Sequence, residues 1–129
     1  MLLSLTLSMR SGINIEIHSD KEILVIDFSG NKEDEMIEMM IEFRDIIIAG
    51  KKPILILGIF NDKNYLTPKF MQAFRKVKRD EVTPYILRQA VVGLSENKKI
   101  ILKGFNLFFN RNIQPFDSKE LAIRYLISE

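Results

Sequence analysis

Apolar residues fall in four short runs, Ile23 to Phe28, Ile54 to Phe60, Ala90 to Leu94 and Ile113 to Phe116, separated by stretches in which apolar positions recur at helical spacing. Short apolar runs bounded by turn residues read as buried strands, and strands that alternate with helices are joined by crossovers that make them parallel. The pattern therefore predicts an α/β fold with a mostly parallel sheet and about four helices. Ahead of the first run, Ile13, Ile15 and Ile17 alternate with Asn14, Glu16 and His18, the period of two that marks a half-exposed strand. Ser19-Asp20-Lys21-Glu22 turns that segment back into Ile23 to Phe28, which predicts an antiparallel N-terminal edge strand.

The helical stretches carry their own start and stop signals. Asn31 is placed to cap the first, with Glu33, Asp34 and Glu35 in its opening turn, where the helix dipole favours negative charge. Met36, Ile37, Met40, Ile41, Phe43, Ile47 and Ile48 give it an apolar side, and Gly50 is the expected stop. Thr67-Pro68 starts a second helix, expected to reach about Val82 with Phe70, Met71, Phe74 and Val77 inward, and Thr83-Pro84 breaks it. Ser95-Glu96-Asn97 opens a third, with Ile100, Ile101, Leu102, Phe105, Phe108 and Phe109 as its expected apolar stripe, closed by Asn110-Arg111-Asn112. Asp117 with Glu120 three residues later matches a capping box, and Leu121, Ala122, Tyr125 and Leu126 are the expected buried side of the last helix.

A chain of 129 residues accommodates one domain with a core, expected over residues 13–129, with residues 1–12 as an N-terminal extension that is partly ordered or paired at the sheet edge. Met1 to Met9 is apolar without a preceding basic stretch or a small-residue cleavage pattern, so it does not read as a secretory signal. An upstream translation start, with Met9 as the alternative, is the expectation. No apolar run approaches the roughly 20 residues of a membrane-spanning helix. The absence of cysteine excludes disulfides, thiolate metal sites and a cysteine nucleophile, and is compatible with a reducing cytoplasm, the expected location.

No catalytic, metal or cofactor constellation is complete in the sequence. His18 is the single histidine, so neither a histidine metal site nor a hydrolase triad can be assembled around it. Ligands of parallel α/β sheets sit beyond the carboxyl ends of the strands, and that edge gathers Asp27, Ser29, Asn61, Asp62, Ser95 and Asp117 as candidate ligand-binding residues. Turns and helix caps use the same residue types, so a structural role competes at each position. Charge is uneven: residues 69–111 hold ten Lys/Arg and three Asp/Glu, a surplus of seven, while the rest of the chain nets minus five. Arg75, Lys76, Lys78, Arg79, Lys98, Lys99 and Lys103 form a candidate basic patch for phosphates or an anionic membrane surface. No nucleic-acid motif accompanies it.

Ile23 to Gly30, Ile54 to Ile59, Ala90-Val91-Val92-Gly93-Leu94, Lys98 to Phe109 and Arg111-Asn112-Ile113-Gln114-Pro115-Phe116-Asp117, taken in order, resemble the STAS-like, or SpoIIAA-like, small bacterial proteins over about residues 13–128. The resemblance implies a β/α superhelix with an antiparallel N-terminal strand, and a non-enzymatic regulatory domain that binds a protein partner or small ligand. In the better understood regulators a serine in an Asp-Ser-Ser-Gly-type motif is phosphorylated just after the strand matched by Ile54 to Phe60. Here Asn61 to Thr67 takes that place with neither serine nor glycine, so the phosphoserine switch does not carry over. Thr67 is the one Ser/Thr hydroxyl left there, and capping is its plainer role. Helices gathered on one sheet face would leave the other to the terminal elements or a second subunit, which makes a homodimer an expected assembly. A lipid or anionic-membrane binder, with a cavity lined by Phe70, Phe74, Phe105 and Phe109, is the alternative function.

Overall fold

The polar break at Ser19-Asp20 is a two-residue hairpin loop: both residues hold left-handed backbone, with φ of 52° and 65°, and His18 pairs with Lys21 across it. Positive φ at both central positions is the geometry whose twist matches the flanking strands. The computed structural model describes residues 5–10, 12–78 and 81–128. In chain order the elements are β1 (Leu5–Arg10), β2 (Ile13–His18), β3 (Lys21–Asp27), α1 (Glu33–Gly50), β4 (Ile54–Ile59), α2 (Pro68–Lys78), a 3-10 turn (Thr83–Tyr85), β5 (Ile86–Val92), α3 (Glu96–Phe109), β6 (Ile113–Phe116) and α4 (Lys119–Ile127).

The strands lie side by side in sequence order, β1-β2-β3-β4-β5-β6. β2 is antiparallel to both β1 and β3, and β3 to β6 run parallel, so the architecture is the expected α/β arrangement. Each parallel strand is joined to its immediate neighbour, and crossovers of one hand then put α1, α2 and α3 on a single face. Leu24, Ile26, Ile56, Val91 and Ile113 of the sheet meet Met36, Met40, Phe43, Ile47, Phe70, Leu102 and Phe105 of those helices there. α4 follows the last strand and has no crossover to make. It folds onto the opposite face, where Ala122 and Leu126 cover Ile23, Val25, Leu55, Leu57, Ala90 and Val92. Apolar residues on both faces of β3, β4 and β5 explain why those runs lack a polar alternation.

Five phenylalanines join the helix layer to the sheet. Phe28 stacks on Phe60 at 5.0 Å between ring centroids, Phe70 meets Phe28 edge-on at 5.6 Å, and Phe74 lies 6.2 Å from Phe70 and 5.3 Å from Phe105. Such pairs contribute about 0.5–1.5 kcal/mol each beyond the area they bury.

Several local expectations are corrected. β2 is not the edge, because β1 pairs outside it from Leu5 with Ile17 to Arg10 with Ile13. α2 ends at Lys78, short of Val82, which is buried in the turn that follows. β5 begins at Ile86, as soon as the proline-containing turn allows, rather than at Ala90. α1 is capped at Lys32, whose backbone N–H donates to Glu35 Oε1 at 2.9 Å, and it runs through Gly50 to a left-handed Lys51. α4 is capped by Ser118, whose Oγ accepts from Leu121 N at 3.2 Å, one residue after the expected Asp117.

Candidate functional site

The carboxyl ends of the parallel strands carry most of the candidate residues, and they are bonded to one another. Asp27 Oδ1 accepts from both Ser29 N at 2.9 Å and Ser29 Oγ at 2.5 Å. Asn61 Oδ1 accepts from Gly30 N at 3.3 Å and Lys63 N at 3.1 Å. Ser95 caps α3 through a 3.4 Å bond from Lys98 N. Asp62 is exposed, and its carbonyl accepts from Lys98 Nζ at 3.4 Å. Thr67 Oγ1 donates to Glu33 Oε2 and accepts from Phe70 N at 3.1 Å, so the hydroxyl caps α2 and ties it to the first turn of α1. A phosphate on Thr67 would stand beside the Glu33 carboxylate, where like charges repel.

At the centre of this edge lies Asn64, 1% exposed. Its Nδ2 donates to the carbonyls of Phe28 at 2.9 Å and Asn31 at 3.0 Å, while its Oδ1 accepts from Asn61 N at 2.8 Å. One buried carboxamide thus satisfies the loops after β3 and β4, which is the condition for leaving backbone groups out of water. From the sequence Asn64 is gathered with the other polar residues of this edge, without a bracing role. The available signal was the density of side-chain amides in Asn61 to Asn64, directly after a buried strand.

Among the described residues, the basic candidates have different surroundings. Lys99 Nζ sits 2.6 Å from Asp117 and 3.2 Å from Glu96. The hydrogen bond from Lys99, then its charge, hold the Asp117 carboxyl below the usual range, and the bonds to Asp117 and Glu96 raise Lys99. Lys98 lies 5.3 Å from the centre of the Tyr65 ring. Lys76 and Lys103 are exposed and Arg75 is half-buried. Arg79 lies outside the described residues, as do the side chains of Val77, Lys78 and Phe109. In α2, Lys69 is raised by its bond to Asp34 and by the charges of Asp34 and Glu33.

β6 is a sheet edge, and its outward backbone is blocked. Asn106 of α3 donates to the Ile113 carbonyl at 2.8 Å and accepts from Ile113 N at 3.0 Å, as a neighbouring strand would. Pro115, two residues on and facing the same way, has no N–H. Adding a peptide strand here is therefore disfavoured by the same devices that protect sheet edges from aggregation.

What remains open is the outer side of α3. Leu102 and Phe105 are its buried residues, whereas Ile100 is 68%, Leu107 86% and Phe108 82% exposed, with Ile101 exposed as well. The expected stripe of Ile100, Ile101, Leu102, Phe105 and Phe108 is thus divided between two opposite faces. A methyl group placed at Gly104, between Ile100 and Leu107 on the outer face, would meet nothing within 4 Å. Phe70, Phe74 and Phe105 pack as core, and the apolar cavity that Phe74 borders holds about 30 Å³.

On the other face of the sheet, Glu16 lies between His18 Nε2 at 2.9 Å and Lys119 Nζ at 2.8 Å. Burial works to raise the Glu16 carboxyl, but hydrogen bonds from Lys119 and His18, with their charges, outweigh it and the net shift is downward. The contact fastens the first turn of α4 to β2. Because α4 already covers the apolar face of β3 to β5, a second subunit is not needed to cover it there. No three His, Asp or Glu side chains among the described residues are grouped to hold a metal ion, and no described helix is long and apolar enough to cross a membrane. In sequence and structure comparisons the chain matches no family model, no curated protein and no solved structure.

Proposed function

We propose that the chain is a non-enzymatic binding domain of STAS-like kind whose working surface is the outer face of α3, and that this face docks onto a protein partner. The observation that carries the reading is the exposure of Leu107 and Phe108 beside Ile100, on a helix whose opposite side is already buried in the core. Clustered exposed apolar side chains mark interaction surfaces, and large ones supply most of the binding energy when a partner desolvates them. The C-terminal sheet edge supports the same division of labour, since Asp27, Ser29, Asn61 and Asn64 are occupied with bracing loops.

A second reading is favoured by the lysines of the same helix. Lys98 and Lys103 could bring Leu107 and Phe108 to an anionic bilayer, each cation contributing about 1 kcal/mol near such a surface. Lys99 is already paired with two carboxylates, so the electrostatic share is small and the apolar contact must carry most of the affinity.

A photo-crosslinking residue placed at Leu107, expressed in the native host, tests both. The protein-partner reading expects one discrete crosslinked protein that is absent when the crosslinker is moved to exposed Lys52. Equal crosslinking at the two positions would remove it. Salt-sensitive sedimentation with anionic vesicles, abolished by Leu107→Ser with Phe108→Ser, would support the bilayer instead.

A further inference from the structure

The two ends of the sheet differ in what covers their backbone. β6 is blocked by Asn106 and Pro115, whereas β1, at the other end, pairs among the described residues with β2 alone. Leu5–Arg10 holds no proline and one charged residue, Arg10. Prolines and charged residues are the usual guards of an exposed edge. A bulge between Ser8 and Arg10 ends the regular ladder, so the open stretch is Leu5 to Ser8.

Which backbone groups of β1 face outward follows from β2. His18 and Lys21 flank the two-residue loop, and Asp27 N donates to Gly12 O at 2.7 Å, so Asn14, Glu16 and His18 turn their N–H and C=O towards β3. Ile15 and Ile17 turn theirs the other way, where their register partners Leu7 and Leu5 meet them. Thr6 and Ser8 alternate with those two residues, and their N–H and C=O point away from the sheet. Such groups are satisfied in full by a further strand.

The open stretch matches itself. In an antiparallel pair of two copies centred on Leu7, Thr6 stands opposite Ser8 of the second copy and Ser8 opposite Thr6, and each such pair exchanges both N–H···O bonds. Leu7 stands opposite its own counterpart, and threonine with serine is a favourable cross-strand pair. Arg10 falls at opposite ends of the seam, so no like charges meet across it. The pairing is isologous and closes at two copies, and the blocked β6 edge stops the sheet from growing at its far ends.

We propose that β1 is a dimerisation edge at which two copies of the chain join antiparallel, β1 to β1, into one continuous sheet with Leu7 on the two-fold axis. The seam lies at the end of the sheet away from α3, which packs on β6, so it is independent of the docking face on that helix. Sedimentation of the full chain across a dilution series is expected to show a species of twice 15.0 kDa that dissociates on dilution. Thr6→Pro removes an outward N–H, keeps the inward bonds of Leu5 and Leu7, and should lose the dimer. Because the chain contains no cysteine, Leu7→Cys supplies a second measurement that leaves every backbone donor in place. Residues opposite each other in a non-hydrogen-bonded antiparallel pair have Cα atoms about 4.5 Å apart, within reach of a disulfide. Mild oxidation should therefore join Leu7→Cys chains into a covalent dimer and leave Lys52→Cys, at an exposed position before β4, unlinked. A monomer at every concentration, a dimer that survives Thr6→Pro, or crosslinking at Leu7→Cys no greater than at Lys52→Cys would each overturn the assignment.

Discussion

The side-chain amide of Asn64 donates to the carbonyl of Phe28, a residue 36 positions earlier, across a 2.9 Å bond that no water reaches. With the bonds to Asn31 and from Asn61, it fastens the ends of β3 and β4 and the entry to α1 at one point. Asn64→Ala takes their partners from the Asn31 carbonyl and the Asn61 N–H, and leaves the Phe28 carbonyl with the Asn31 N–H alone. Urea unfolding should show a loss of about 2–3 kcal/mol, judged from the cost of a buried unmet polar group. Asn64→Asp should be worse, because its carboxylate would face two carbonyl oxygens. A change within 0.5 kcal/mol for both variants would show that the amide does not brace these loops.

Gly93 is fixed by backbone crowding. It holds a φ of 88°, and a Cβ built on it would lie 1.8 Å from the Phe60 carbonyl oxygen. Phe60 N already donates to Val92 O at 2.9 Å, so the two strand ends cannot separate without breaking that bond. Gly93→Ala should cost on the order of 3 kcal/mol, at the upper end of ordinary point substitutions. Thermal unfolding checks this, with Gly104→Ala as the contrasting variant expected to be neutral or stabilising in a helix, where alanine is preferred by about 1 kcal/mol.

The order of strands and helices was legible because apolar runs, turn residues and helical spacing change together along the chain. What escaped were features that depend on distant partners. Asn64, for one, acquires its role from Phe28 and Asn31, more than thirty positions earlier. Caps were displaced by one residue where capping types stand in tandem, as at Asp117-Ser118. The outer face of α3 was misread for a different reason. Ile100-Ile101-Leu102 and Leu107-Phe108-Phe109 run around the helix, so spacing does not say which side meets the sheet.

That division of α3 makes a paired prediction. Phe105 packs edge-on against Phe74 and is buried, while Phe108, three residues later, is on the outer side. Phe105→Ala should destabilise by about 3–5 kcal/mol, as large-to-small core substitutions do. Phe108→Ser should stay within about 0.5 kcal/mol, as exposed substitutions do. Denaturant midpoints of the two variants measure the contrast directly, and similar losses for both would mean that Phe108 is packed as core.

Glu16 gives the fold an acid-sensitive contact between β2 and α4. Its carboxyl is depressed in the folded protein because the bonds and charges of Lys119 and His18 outweigh the burial that acts the other way. A carboxyl held below its unfolded value stabilises the fold at pH above that value, ordinarily 4.5, and the stabilisation is lost as pH falls through the depressed folded value. Glu16→Gln removes the charge and retains hydrogen-bonding capacity. The stability advantage of wild type over Glu16→Gln should therefore be present at pH above 4.5 and shrink as the solution is acidified below it. Lys119→Met should show the same convergence, since it removes the strongest of the bonds that depress Glu16. A difference that grew on acidification would mean that desolvation prevails and that the carboxyl is raised rather than lowered.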